Sequence, residues 1–158
     1  MSTTAKPMAR KAAPWVAAAT LFVGGWEGMQ RVSYRDVIGV PTICYGETRG
    51  VKMGQTATKE ECDQMLADGL LDFAEGVRKQ MPGFDTMPPS RQVAVVSLAY
   101  NIGLGNFAKS SVRRELNAGN VRAGCEAFMK WNKAGGIVFR GLTRRRDAER
   151  KLCLEGPG

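Results

Sequence analysis

Apolar residues recur at steps of three and four between Thr58 and Met81, which is the spacing of one buried helix face. The positions are Cys62, Met65, Leu66, Leu70, Phe73 and Val77. Thr58 followed by Glu61 has the pattern of a capping box, in which each side chain satisfies a backbone N–H group at the helix start. We therefore predict a long helix that begins at Thr58 and ends near Met81, where proline and glycine follow.

A second helix is predicted from Arg91 to about Ile102, after a Pro-Pro-Ser opening. It has almost no polar face, and a helix that is apolar all round is a buried one, so we interpret it as the core helix of a larger lobe. The remaining patterns predict a short helix capped by Ser110 or Ser111 and ending at Asn117, a helix from Asn120 to Trp131, a glycine-containing loop from Lys133 to Val138, and a last helix from Thr143 to Leu154.

Residues 27–57 have a different pattern. β-branched and aromatic residues are interrupted by Gly28, Gly39, Pro41 and Gly46, which is typical of short strands joined by turns. A strand-rich segment followed by helices predicts an α+β fold that is mainly helical. The length of 158 residues suits one globular unit with a buried core.

The N-terminus reads as a signal-like segment. Residues 1–11 are basic and lack acidic residues, and Ala12 to Trp26 carry no charge over fifteen residues. As a helix, this run is about 22 Å long, against about 30 Å of hydrocarbon in a bilayer, so it is a marginal span. Three interpretations stay open: a cleaved signal peptide, an ordinary amphipathic first helix, and a segment that anchors the protein and later releases it. We divide the chain into residues 1–26 and 27–158.

The amino-acid composition limits the classes of function that the protein could have. The net charge of +8 implies a polyanionic partner, which is a nucleic acid, an anionic membrane or an acidic wall polymer. Histidine is absent, which excludes catalytic Ser-His-Asp and Cys-His sets and His-based zinc sites. The run Arg144-Arg145-Arg146 lacks interleaved aromatic residues and precedes Asp147 and Glu149, so we interpret it as a solvated face rather than a nucleic-acid contact.

The four cysteines are compatible with buried free thiols or with two disulfides. Cys44, Cys62, Cys125 and Cys153 contain no Cys-x-x-Cys pair, so a zinc site of four thiolates is not expected. We favour disulfides, because the N-terminus directs the chain outward through a membrane and disulfides persist in oxidising compartments.

Candidate chemistry lies in the strand-rich segment. Asp36 follows Glu27 by nine residues, and Thr42 follows Asp36 by six. Turns bring short strands back on themselves, so these three side chains are predicted to face one cleft. Two carboxyl groups across a cleft are the minimum equipment for breaking a glycosidic bond.

The segment from Trp26 to Thr48 as a whole resembles the catalytic segment of phage endolysins of glycoside hydrolase family 24, the phage-type lysozymes. The resemblance rests on Glu27-Gly28, Asp36, Thr42 and Gly46, and it extends through Tyr100-Asn101-Ile102-Gly103 and Gly141-Leu142-Thr143-Arg144-Arg145. It implies a lysozyme-like fold, with a small β-rich lobe and a larger helical lobe joined by the long helix.

The resemblance also implies roles for particular residues. Glu27 is the general acid, which has to hold its proton near neutral pH, and Asp36 with Thr42 holds the attacking water, so the reaction inverts. Sugar contacts fall on Tyr100, Asn101 and Ser110, and Arg145 is the candidate for an arginine that contacts the acid. The implied disulfides are Cys44–Cys62 and Cys125–Cys153. One departure is Glu47, where many relatives carry histidine, which puts in doubt a salt bridge that supports the β lobe.

The expected function is hydrolysis of peptidoglycan between N-acetylmuramic acid and N-acetylglucosamine, for host cell lysis. No metal or cofactor and no nucleic acid is expected, and the protein is expected to be a monomer. The expected location is the bacterial periplasm, after tethering to the inner membrane through residues 1–26. The alternatives are a non-catalytic basic protein on a lysozyme-like scaffold, which acts on membranes or nucleic acids, and a non-hydrolytic transglycosylase. Asp36 argues against the second, which lacks a water-holding carboxylate.

Overall fold

The computed structural model describes residues 13–156, and the basic N-terminus predicted for residues 1–11 lies outside them. The α-helices in the described part are α1 (Pro14–Trp26), α2 (Lys59–Gln80), α3 (Pro89–Ile102), α4 (Leu104–Lys109), α5 (Ser111–Asn117), α6 (Val121–Glu126) and α7 (Arg140–Glu155). The strands are β1 (Gln30–Arg35), β2 (Pro41–Cys44), β3 (Lys133–Ala134) and β4 (Ile137–Val138), and short 3-10 helices span Phe84–Thr86 and Ala127–Lys130. The predicted class, α+β and mainly helical, is confirmed.

The small lobe is built on the antiparallel β1–β2 hairpin, in which Tyr34 pairs with Thr42. It has a small core of its own, formed by Ile43, Cys44, Ala57 and Cys62. The long helix α2 leaves this lobe with the predicted capping box: the Thr58 hydroxyl accepts from the Glu61 N–H (3.1 Å), and the Glu61 carboxylate accepts from the Thr58 N–H (2.8 Å). This helix therefore connects the two lobes.

The larger lobe is organised around α3. All nine residues from Arg91 to Ala99 are buried, as the lack of a polar face predicted. The helix packs against α7, α1 and α2. The Arg91 side chain donates to the carbonyls of Cys153 (3.0 Å) and Gly156 (3.0 Å), which fastens the end of α7 to α3.

Helix α1 is part of this core. Its buried residues, which belong to the same cluster as those of α2 and α3, are Trp15, Val16, Ala19 and Val23. The Trp15 ring meets Phe84 edge to face at 5.9 Å between centroids. Residues 14–26 therefore do not stand apart from the rest of the chain in this structure. Within residues 13–156, no helix has both the length and the apolar character needed to cross a bilayer.

Two local predictions were wrong. Residues 133–138 form the hairpin β3–β4 rather than a loop, because Gly135 (φ 58°) and Gly136 (φ 79°) supply the two positive φ angles of a tight two-residue turn. The helix expected from Asn120 to Trp131 divides into α6 and a 3-10 segment. Strands of two residues are too short to show an alternating pattern in a sequence.

Both cysteine pairs are those that the resemblance implies. Cys44–Cys62 joins β2 to α2, with Cα atoms 4.9 Å apart, and Cys125–Cys153 joins α6 to α7, with Cα atoms 5.5 Å apart. The alternative of four free thiols is therefore set aside.

We predict that replacing Cys125 and Cys153 together with alanine lowers the free energy of unfolding by about 3–4 kcal/mol, because the disulfide closes a loop across a separation of 28 residues. Urea unfolding of the variant and the oxidised parent measures this difference. The parent in reductant, which loses both disulfides, is the control and should be less stable than the variant. Equal stability of the oxidised parent and the variant would contradict the prediction.

Candidate active site

Glu27 lies directly after α1, at the junction of the two lobes. Its backbone N–H donates to the Val23 carbonyl (3.0 Å), which continues the helix into the site. Its side chain is one-quarter exposed, and one carboxylate oxygen accepts from Nη1 of Arg145 at 2.5 Å. Arg145 comes from α7 and is itself buried, so the final helix fixes the carboxyl group of Glu27. The contact between Arg145 and Glu27 that the resemblance implied is thus present in the structure.

Asp36 and Thr42 are held by the β1–β2 hairpin through one shared residue. Oδ1 of Asp36 accepts from the N–H groups of Ile38 (3.0 Å) and Val40 (2.9 Å). The Thr42 hydroxyl, which is largely buried, donates to the carbonyl of the same Val40 (2.9 Å). The peptide groups of Val40 therefore set the positions of the carboxylate and the hydroxyl together.

Two pockets lie near the end of α3. One, of about 480 Å³, is lined by Glu27, Arg145 and Asn101, with Trp26 and Phe139 as apolar walls. The other, of about 290 Å³, lies between the β lobe and α2. Its lining residues include Tyr45, Glu47, Arg49, Phe73 and Tyr100. Tyr100 lines this second pocket and Asn101 lines the first. Asp36 and Thr42 line neither pocket, so the common cleft expected for them with Glu27 stays a prediction.

Tyr100 has a well-defined setting in this region. Its ring packs edge to face on Phe73, with centroids 5.1 Å apart. Burial raises the pKa of its phenol, and the negative charges of Glu27 and Glu47 act in the same direction. The hydroxyl therefore stays protonated and can donate a hydrogen bond to a ligand. Sugar contact by Tyr100 and Asn101 stays a prediction, which their position in the pockets supports.

The setting of Ser110 gives no such support. Its hydroxyl is buried, donates to the Phe107 carbonyl (2.7 Å) and accepts from the Arg113 N–H (3.1 Å). These contacts cap α5, which is the role that the sequence pattern also predicted. The structure does not bring Ser110 to either pocket described above.

The interpretation of residues 144–146 as a solvated face was wrong for two of the three arginines. Arg144 is exposed, but Arg145 and Arg146 are 4% and 0% exposed. They surround Glu149, which is also 0% exposed, at helix spacings of three and four residues. Burial raises the pKa of the Glu149 carboxyl, which the two arginines oppose, and burial lowers the pKa of Arg146. Sequence reasoning missed Glu149, although its spacing from Arg145 and Arg146 was the available signal.

The β lobe keeps a salt bridge without histidine. Arg49 lies 3.3 Å from Glu47 and 3.3 Å from Asp72, which belongs to α2. Glu47 thus places an acid at this position, and Arg49 connects it to the long helix. The side chain of Arg49 is exposed, so this contact orients the lobe more than it stabilises the fold.

A small β lobe, a larger helical lobe and a paired carboxyl group at their junction define a lysozyme-like protein. The phage lysozyme family model matches residues 24–149. The SAR-endolysin of Enterobacteria phage P21 is 36% identical over 133 residues, which is 84% of this chain and 79% of that protein. The structure of a P22 lysozyme mutant aligns with a TM-score of 0.79 at 32% identity, over 87% of this chain and 96% of that one.

The active form of the P1 phage endolysin Lyz aligns with a TM-score of 0.75 at 28% identity, over 87% of this chain and 83% of that one. The chain belongs to the phage lysozyme family. It is therefore a hydrolase of the lysozyme type.

Proposed function

We propose that this protein is an endolysin that hydrolyses the β-1,4 bond between N-acetylmuramic acid and N-acetylglucosamine in peptidoglycan and so lyses the host cell. The observation that carries the proposal is the position of Glu27, which lines an open pocket and is held by the buried Arg145. Membership of the phage lysozyme family supports the substrate. The basic net charge of +8 suits an anionic cell wall. The enzyme acts as a monomer.

The proposed mechanism gives each of the three side chains one task. Glu27 protonates the leaving oxygen of the glycoside, since an alkoxide is a poor leaving group. Asp36 and Thr42 hold and activate a water molecule, and the Asp36 charge also favours the positive sugar ring of the transition state. Attack by this water from the opposite face inverts the anomeric centre. Tyr100 and Asn101 contact the sugar at the end of α3.

Identification of the product ends tests this function. Digests of purified peptidoglycan should contain reducing muramic acid ends, detected by borohydride reduction and mass spectrometry. Ends with a 1,6-anhydro ring would instead identify a transglycosylase. Lysis of cells without any new sugar ends would point to the non-catalytic, membrane-active alternative, which the family membership does not favour.

We predict that Asp36→Asn lowers the turnover rate by about 10²-fold, because the amide carries no charge and cannot take a proton from water. The amide oxygen can still accept from Ile38 and Val40, so the hairpin turn should persist. Asp68→Asn, at an exposed position on α2, makes the same change in net charge and should keep full activity. Comparable turnover in both variants would remove Asp36 from the mechanism.

We further propose that residues 12–26 carry the protein to the periplasm and tether it to the inner membrane before release. Two observations support this. The segment is uncharged, and the relative from phage P21 is named a SAR-endolysin. After release, residues 14–26 fold as α1 and bring Glu27 to the pocket, so release and activation are one event. In membrane fractionation, depolarisation should move the protein to the soluble fraction and start hydrolysis. Activity that is equal before and after depolarisation would contradict the coupling.

A further inference from the structure

Arg145 is held between two carboxylates. Its Nη1 lies 2.5 Å from Glu27, and its Nε lies 3.4 Å from Oε2 of Glu149 on the other side. Its Nη2 also faces the carbonyl (3.4 Å) and the hydroxyl (3.3 Å) of Ser97 on α3. A guanidinium group is planar and rigid, so contacts on its far edge fix the edge that Glu27 meets.

Glu149 joins this arrangement mainly through one carboxylate oxygen. Its Oε2 accepts from the Ser97 hydroxyl (2.5 Å) and from Nη2 of Arg146 (3.1 Å). Its Oε1 lies 2.7 Å from Nε of Arg146 as an ion pair, and neither of these two atoms makes a hydrogen bond within residues 13–156. Arg146 in turn reaches the Trp131 carbonyl (3.4 Å). Burying a carboxylate and two guanidinium groups is costly, and an apolar set of similar volume is often as stable. Stability alone therefore does not explain why Arg145, Arg146 and Glu149 are buried together.

We propose that Glu149 is a positioning residue for the glycosidase reaction, which holds Arg145 so that Arg145 can orient Glu27. This inference rests on the proposed function, because it assumes that Glu27 is the general acid. In the contacts above, Glu149 touches neither Glu27 nor any pocket residue other than Arg145, so it acts through Arg145.

The geometry gives the proposal a measurable signature in the kinetic constants. Arg145 connects Glu149 to Glu27, so loss of Glu149 should disturb the orientation of the Glu27 carboxyl group and lower kcat. KM should change little, because the substrate contacts proposed for Tyr100 and Asn101 are untouched. A purely structural role would instead lower the folded fraction and leave kcat per folded molecule unchanged.

The test compares Glu149→Gln with the parent on soluble, un-cross-linked peptidoglycan. We expect kcat per folded molecule to fall by about 10–100-fold with little change in KM, since the acid is misplaced rather than the substrate lost. Glu126→Gln is the matched control, because it also removes a carboxylate paired with an arginine, Arg150, but at the surface. Its kcat and its KM should match the parent.

A second variant covers the case in which Glu149→Gln does not fold. Glu149→Gln combined with Arg146→Gln removes the buried carboxyl group together with one of the two guanidinium groups that contact it, so Arg146 is not left buried without its partner. We expect kcat to stay low in this variant, because Arg145 still lacks its far partner. A folded single or double variant with the kcat of the parent would overturn the proposal.

The outcomes also separate this inference from the proposed function. If the parent releases no reducing muramic ends, or if Glu27→Gln equals the parent, the proposed function fails. If the parent is active, Glu27→Gln is inactive and Glu149→Gln matches the parent in kcat, only the positioning role fails. Near-ultraviolet circular dichroism gives the folded fraction by which each rate is divided.

Discussion

Glu27→Gln should fold like the parent protein and release reducing sugar ends about 10²–10⁴-fold more slowly. The amide has nearly the shape of the carboxylic acid but has no acidic proton for the leaving oxygen. Arg145 keeps its contacts with Glu149 and Ser97 in this variant, so the helical lobe should remain intact. The effect is therefore expected in the rate of bond cleavage and not in stability.

Turnover on soluble peptidoglycan and thermal unfolding should be measured on the same preparation. Glu60→Gln is a suitable control, since Glu60 is exposed in the first turn of α2 and the capping contact belongs to Glu61. Both variants should unfold within a few degrees of the parent. Retention of substantial activity by Glu27→Gln would exclude this residue as the general acid and would require another acid in the same pocket.

Trp15→Ala is expected to lower the free energy of unfolding of the released protein by about 3–5 kcal/mol. Trp15 is 1% exposed and packs against Phe84, so its truncation leaves a large cavity beneath α1. The loss should be visible as a lower urea midpoint. Because α1 leads directly into Glu27, activity should be lost at a lower temperature as well.

Leu21→Ala is the matched control on the same helix. Leu21 is 78% exposed, so its truncation should change the stability by less than about 0.5 kcal/mol. Both substitutions make residues 12–26 less apolar. If this segment served only as a membrane anchor, the two variants would have the same stability in the released protein. Equal stability of the two variants would show that α1 is not packed as the structure has it.

The helical lobe was largely predictable because its signals are local. The capping box of Thr58 and Glu61 fixed the start of α2, and the apolar run in α3 identified the core helix. The burial of α1 was not predictable in the same way. Its alanine- and glycine-rich composition suits a lipid environment and a tightly packed protein core equally well, and only tertiary contacts distinguish the two.

In the candidate site, too, some residues could be predicted from the sequence and others depended on tertiary packing. Glu27, Asp36 and Thr42 were proposed from motif spacing and resemblance, and the structure shows how Arg145 and Val40 hold them. Burial of Arg146 and Glu149 could not be deduced, since charged residues are rarely buried and the face of α7 toward α3 is set by packing. Arg144-Arg145-Arg146 was interpreted as solvated because of its charged composition, whereas the helical spacing of Arg145 and Arg146 from Glu149 was the informative property.

The backbone contacts made by Val40 affect how a mutational scan of this protein should be interpreted. Asp36 and Thr42 depend on the N–H and the carbonyl of this residue, which every amino acid except proline provides in full. A scan of side-chain substitutions would therefore score position 40 as tolerant, although its peptide groups set the positions of the two side chains proposed to hold the water. Proline, or an ester in place of the amide by semisynthesis, would reveal this dependence, so tolerance to mutation at a position is no measure of its importance to catalysis.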